Sequence, residues 1–206
     1  VSDTESESVS TALIGDILTC KNDEAIFTFD IAAQSGIERI DIKDGLTHLK
    51  RIQPESEARK IGSRLRIQCE GAEYRGRGRL VNWDVEVKSD GPAIRKAAPI
   101  NFWNSDNTVF QDSHSVRWKN VTTGGFHAVD IWLEDATTGV LTVLVNGTEI
   151  AVDLRTLGTD DLIHDFGGLQ KAIRLFRLPD TPLANTYNDS LSVPLTHGEE
   201  RCLFLR

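Results

Sequence analysis

The sequence predicts an all-β protein with antiparallel β-sandwich architecture. Apolar and polar residues alternate with a period of two through much of the 206-residue chain, which is typical of strands with one buried face and one exposed face. Turn-forming pairs such as Asp44-Gly45, Gly124-Gly125 and Thr138-Gly139 separate these segments. Roughly a dozen short strands at such spacing indicate a sandwich rather than alternating strands and helices.

Several segments carry the alternation clearly enough to be assigned as strands. Within each, the apolar residues share one parity, so they face the same side of the strand. In chain order these segments are Phe27 to Ile31, Ile40 to Ile42, Leu65 to Cys69, Val81 to Val87, Val129 to Leu133, Leu141 to Val145 and Ile150 to Leu154.

Two local elements can be predicted in more detail. The segment from Gly139 to Leu154 reads as a β-hairpin, because Asn146-Gly147 favours the type I′ turn that joins antiparallel strands. The segment from Asp160 to Phe166 is the single helix candidate, since Thr159 can cap its start and Gly167-Gly168 can end it. The prediction is therefore one short helix among strands.

The predicted domain organisation has three parts. Residues 1–10 are rich in Ser, Glu, Asp and Thr, which is typical of a disordered lead-in. A Gly- and Pro-containing stretch near Asp90 to Pro99 suggests a boundary. We therefore expect an immunoglobulin-like β-sandwich over 11–92 and a larger second sandwich over 93–206, with one continuous sandwich as the alternative.

Charge and hydropathy argue against two classes of partner. The formal net charge is −8 and the isoelectric point is near 5.1, which disfavours nucleic acid because phosphate neutralisation dominates that affinity. No apolar run approaches the ~18 residues of a membrane span, and the first residues lack a basic region followed by an apolar one. We predict neither a nucleic-acid nor a membrane partner.

The cysteines and histidines do not form a recognisable reactive site in the sequence. Cys20, Cys69 and Cys202 lie far apart, which predicts buried small hydrophobes and favours a reducing compartment such as the cytoplasm. The histidines lack metal-ligand spacing, and each is expected on the surface or in a hydrogen-bonded loop. They are His48, His114, His127, His164 and His197. We therefore predict no catalytic residue, no metal site and no cofactor in this chain.

The first candidate binding feature is a run of alternating arginines and glycines between Glu70 and Asp84. If this segment is extended, Arg75, Arg77 and Arg79 lie on one side of a strand, with Gly76 and Gly78 on the other. Three aligned arginines in an acidic protein predict contact with carboxylates. That contact would be structural, within the chain, or interdomain.

The tryptophans are the second candidate. Trp83 and Trp118 share parity with apolar neighbours and are expected in the core. Trp132 has the parity of Asp130 and Glu134, and Trp103 lies at a strand end, so both are candidates for exposure. Exposed tryptophans on a β-sandwich are suited to stacking against a sugar ring.

Several of these motifs together resemble a known family. They are Ile37 to Ile42 with Asp44-Gly45, Gly62-Ser63-Arg64, Gly71 to Arg79, and Asn82-Trp83-Asp84. The run is similar to the C-terminal region of a bacterial family of uncharacterised proteins whose N-terminal domain resembles a PHP-type (polymerase and histidinol phosphatase) metal-dependent hydrolase. The resemblance is clearest over residues 14–90. It implies that the metal ligands lie in the N-terminal domain, beginning with a His-x-His motif that this chain lacks.

The resemblance gives the leading functional hypothesis. The chain, which starts with Val and contains no Met, would be a noncatalytic C-terminal accessory region. Its partner would be the catalytic domain of the same polypeptide, and the oligomeric state is not indicated. The alternatives are a carbohydrate- or ligand-binding sandwich module and an enzyme assembled from distant loops.

Overall fold

Strands are the main secondary structure of this chain where it is described. The computed structural model describes residues 11–20, 22–54, 62–103, 109–180 and 184–206. Within them, fifteen strands form four antiparallel sheets, which confirms the all-β prediction. The lead-in predicted at 1–10 lies outside these ranges. Over the same ranges, no helix is long and apolar enough to cross a membrane.

The strands are short and are numbered here in chain order. They are β1 (Glu24–Ala32), β2 (Ile40–Asp44), β3 (Thr47–Ile52), β4 (Arg64–Ala72), β5 (Val81–Asp90), β6 (Ile94–Ile100), β7 (Phe110–Gln111), β8 (Ser115–Thr122), β9 (Phe126–Leu133), β10 (Val140–Val145), β11 (Thr148–Asp153), β12 (Leu162–Asp165), β13 (Leu169–Leu178), β14 (Thr186–Pro194) and β15 (Leu203–Leu205).

The chain divides into two compact units. The smaller unit combines residues 1–55 with 183–206, and the larger unit spans 56–182. In the smaller unit, β1 pairs with β14, and β2 lies between β15 and β3. Phe29, Ile40, Ile42 and Ile52 form the buried centre of this unit.

The larger unit is a sandwich of two five-stranded sheets. One sheet has the order β11-β10-β5-β8-β7, and the other has the order β12-β13-β4-β9-β6. The apolar parities found in the sequence face each other across a single core. Trp83 and Trp118 are buried there as predicted, and the Trp83 Nε1 donates to Thr122 Oγ1 at 2.8 Å. A fully buried Val, Leu or Ile side chain contributes roughly 1.5–3 kcal/mol to stability. The many such side chains in this core therefore make it the main source of stability of the unit.

The predicted hairpin is confirmed in its strands and in its turn. β10 and β11 pair from Val140–Asp153 to Val145–Thr148. Asn146 and Gly147 have φ values of 49° and 87°, the left-handed conformations that a type I′ turn requires. The Asn146 side chain also accepts from the Asp84 backbone N–H and donates to the Asn82 carbonyl, which ties the turn to β5.

The predicted helix over Asp160 to Phe166 is wrong. This segment contains strand β12, which pairs with β13 from Leu162–Leu175 to Asp165–Ala172. A helix of two turns is marginal in isolation because its nucleation is unfavourable. Pairing along the edge of a sheet satisfies the same backbone groups, so the helix-stop glycines Gly167-Gly168 instead form the turn into β13.

The division into units also differs from the predicted boundary at 92/93. Strand β5 lies in the middle of its sheet, hydrogen-bonded to β10 on one side and β8 on the other. A boundary after Asp90 would separate this strand from both partners. In the described residues, the strands of 11–92 therefore do not form a contiguous unit of their own.

A third difference concerns the polar face of β4. Its parity predicted contact with water, yet Arg64, Gln68 and Glu70 are buried. The carboxylate of Asp130, on the neighbouring strand β9, has no exposure and lies between two arginines of β4. Arg66 binds it with both arms of its guanidinium, Nε to Oδ1 at 2.7 Å and Nη2 to Oδ2 at 2.9 Å. Arg64 donates to Oδ2 through Nε at 2.8 Å and also through Nη2.

Replacing Asp130 by Asn tests this cluster. The substitution leaves two arginines without their shared carboxylate, so we expect the free energy of unfolding to fall by about 3–5 kcal/mol. Asp84→Asn is the matched control, because Asp84 pairs with Lys119 at 2.5 Å on the exposed face of β5. The control should change the free energy by about 0–1 kcal/mol. Equal losses for the two variants in urea unfolding would contradict the assignment.

Candidate functional site

One end of the larger sandwich gathers the loops that carry most of the candidate residues. Because neighbouring strands are antiparallel, β4 and β6 end where β9 and β13 begin. The Gly71 N–H donates to Gly125 O at 3.0 Å, and the Gly124 N–H donates to Gly71 O at 2.9 Å, which joins two of the connections. We call residues 73–80, 101–103, 123–125 and 166–168 the loop end.

The arginine segment lies in the loop end but is not extended. Strand β4 ends at Ala72, and Gly76–Gly78 form a 3₁₀ turn. Gly76 has a φ of 79°, a left-handed conformation that breaks a strand and that glycine adopts without steric cost. The strand alignment predicted for Arg75, Arg77 and Arg79 is therefore wrong. We call this segment, Tyr74 to Arg79, the arginine turn.

All three arginines of the turn are exposed to solvent. Among the residues that the structure describes, none of them forms an ion pair with a carboxylate. The carboxylate of Glu73, next to the turn, accepts from Lys171 Nζ at 2.6 Å instead. Within the described residues, the internal pairing expected for these arginines is therefore not found, and pairing with another domain stays a prediction.

Trp103 lies at the same end and is 89% exposed. Its position is set by the two residues before it. Asn101, with a left-handed φ of 55°, donates through Nδ2 to Phe126 O at 2.6 Å. The Phe102 ring packs edge-on against His127, with ring centroids 5.4 Å apart. An exposed indole thus stands on a short, anchored segment next to the β9 strand.

Trp132 is in a different place and environment. It lies six residues along β9 from Phe126, roughly 20 Å from the loop end at the rise of an extended strand. Its side chain is half-buried, and Lys96 Nζ and the Arg64 guanidinium lie 4.6 and 5.3 Å from the ring centroid. Both cations therefore make cation–π contacts with the Trp132 ring. The two tryptophans proposed for stacking therefore do not share one site.

His127 is the site residue that the sequence reasoning missed. It was expected in a surface or loop position, but it is 1% exposed and lies on the inner face of β9. Trp118 Nε1 donates to His127 Nε2 at 3.3 Å, and burial lowers the His127 pKa to about 4. The sequence does indicate this burial, because His127 has the same parity as the apolar residues Val129 and Ile131 and so faces the same side of the strand.

The prediction that all three cysteines are buried is confirmed for one of them and wrong for two. Cys69 is buried in the core, as expected, and burial raises the pKa of its thiol. Cys20 and Cys202 are exposed, contrary to the prediction. Cys202 precedes β15, where its backbone N–H donates to Asp44 Oδ1 at 2.7 Å. It therefore lies in the irregular segment just before the apolar strand and not in the strand itself.

The chemistry available at the loop end is electrostatic and aromatic. Over the described ranges, no group of three or more His, Cys, Asp or Glu side chains is placed to hold a metal ion. Comparison with family models, with curated proteins and with solved structures gives no match for this chain. The loop end instead offers guanidinium groups that can bind an acidic partner and an indole that can stack.

Exposure of the arginine turn leads to a stability prediction. The triple variant Arg75→Ala, Arg77→Ala, Arg79→Ala should unfold within about 0.5 kcal/mol of the parent, because surface side chains without partners contribute little. Arg66→Ala removes a partly buried arginine from the same unit and should cost about 1–3 kcal/mol, since Arg64 still holds Asp130. Chemical unfolding of the two variants and the parent measures both changes in the free energy of unfolding. A triple variant as unstable as Arg66→Ala would show that the turn has an internal partner.

Proposed function

We propose that this chain is a noncatalytic C-terminal accessory region of a PHP-like metal-dependent hydrolase and that it packs against the catalytic domain of the same polypeptide. The observation that carries the proposal is the arginine turn. Its three guanidinium groups are exposed, and they lack carboxylate partners among the described residues of a chain whose formal net charge is −8. The family resemblance supports the identity of the partner.

Arginine suits such a contact for a physical reason. A guanidinium group binds a carboxylate through two parallel hydrogen bonds and is more weakly hydrated than the ammonium group of lysine, so it tolerates partial burial. Asp130 shows this preference inside the chain, where two arginines bind one buried carboxylate. A carboxylate-bearing surface on the catalytic domain would complete the same chemistry at the loop end.

Association of the separately produced N-terminal region with this chain tests the proposal. Calorimetry at low salt should show binding that weakens by at least tenfold in the triple alanine variant of Arg75, Arg77 and Arg79. The triple lysine variant keeps the charge and should give an intermediate affinity, because lysine cannot bind a carboxylate bidentately. Arg117→Ala, on the exposed face of β8, is the control for loss of surface charge. Unchanged affinity in the triple alanine variant would refute the proposed contact.

A second candidate function is a carbohydrate- or ligand-binding module. Trp103 favours it, because an indole that is 89% exposed on an anchored segment is ready to stack against a sugar ring. A glycan screen should then detect a ligand whose binding disappears in Trp103→Ala and survives in Trp132→Phe. Trp132 is the matched control because its ring already faces two cations. A silent screen with the parent chain would remove this candidate.

A further inference from the structure

We infer that His127 is a positioning residue of the loop end: its neutral imidazole holds Phe102 against the core and thereby fixes the path of the exposed Trp103. Protonation of the imidazole would release that anchor. The functional consequence rests on the proposed role of the loop end in binding. The anchor itself is a property of this chain alone.

The contacts of the imidazole define the anchor. Trp118 Nε1 donates to His127 Nε2, so Nε2 carries a lone pair and the proton of the neutral ring is on Nδ1. Nδ1 is buried and has no hydrogen-bond partner among the described residues. The Phe102 ring lies edge-on at 5.4 Å, with an interplanar angle of 88°. The imidazole is therefore held by one hydrogen bond and by aromatic packing.

Among the described residues, the groups that contact the imidazole carry no charge that would compensate a proton on it. Cys69 lies directly opposite on β4, Trp118 approaches from β8 and Phe102 from the segment after β6. The Cys69 thiol is the titratable group among these neighbours, and burial raises its pKa, so it stays neutral. A proton on His127 would also remove the lone pair that accepts from Trp118. Both effects oppose protonation while the anchor is in place.

The direction of the pH effect follows from these contacts. An imidazole in water has a pKa near 6.5, whereas burial lowers the pKa of His127 to about 4. Above pH 6.5 both the anchored and the released states are neutral, and the anchor keeps its full stability. As the pH falls from about 6.5 towards 4, the released state binds the proton first and gains population. Because Phe102 is only partly buried, it is the side chain that can move aside.

The experiment follows the fluorescence of Trp103 in the whole chain. Of the four tryptophans, Trp103 is isolated by subtracting the spectrum of Trp103→Phe from that of the parent at each pH. We expect the Trp103 contribution to change between pH 6.5 and 4. The change should be absent in His127→Phe, which keeps an aromatic ring but cannot bind a proton. Phe102→Ala should show the acid-state Trp103 spectrum already at pH 7.

Four results would overturn the inference, and the last of them does not depend on the His127→Phe variant. The first is a Trp103 contribution that stays constant from pH 7 to 4, and the second is an equal acid transition in His127→Phe. The third is loss of the far-ultraviolet circular dichroism at the same pH as the Trp103 change, which would make His127 a determinant of global stability instead. The fourth, which is equally decisive if His127→Phe does not fold, is a Phe102→Ala spectrum equal to the parent at pH 7. The binding assay of the proposed function is run at pH 7, so failure of the anchor and failure of the docking contact are separable.

Discussion

The larger sandwich depends on a buried carboxylate that satisfies two arginines. Asp130 has no exposure, and Arg64 and Arg66 both donate to it from the adjacent strand β4. Removing two arginines from water is costly, and the cost is offset only if each charge keeps a partner with good geometry. The cluster therefore fixes the register between β4 and β9, because a shift of one residue would carry the arginines to the opposite face and away from Asp130. The loops that follow these strands inherit their positions from that register.

The same requirement explains which arginines are paired. Arg64 and Arg66 alternate with Leu65 and Ile67, whose burial keeps the chain extended and places both guanidinium groups on one side. In the arginine turn, glycines replace the apolar residues, so no side chain between the arginines packs on a core. The segment leaves the sheet, and its arginines stay in solvent. Alternation of arginines therefore predicts a row of paired charges only where the intervening residues are apolar.

The alternation of neighbouring residues in the sequence predicts much of the fold but little of the candidate site. Alternating parity identifies most strands, the buried Trp83 and Trp118 and the Asn146-Gly147 hairpin, because each depends on neighbours in the chain. The pairing of β1 with β14, more than 150 residues later, is set by tertiary contacts, as is the burial of the polar face of β4. The helix prediction failed for the same reason, since β12 is defined by its partner β13. Trp103 and the arginine turn lie at the same end of the sandwich because β4 and β6 both pair antiparallel with β9 and therefore end at the same edge.

Buried, paired charges and exposed candidate binding residues thus lie at different ends of the same strands. Near the start of β4, charges are buried and paired, and the Trp132 ring makes cation–π contacts with Arg64 and Lys96. At the loop end, Trp103 and the arginines of the turn are exposed, so they contribute little to folding and are available to a partner. His127 lies near the loop end, where it is buried in the core and contacts the segment that carries Trp103. While it is neutral, the buried imidazole carries no uncompensated charge, and the cost that remains is that of burying Nδ1, which has no hydrogen-bond partner among the described residues. In the proposed anchor, protonation of His127 would change the shape of the loop end below about pH 6.5 and leave it unchanged near neutral pH.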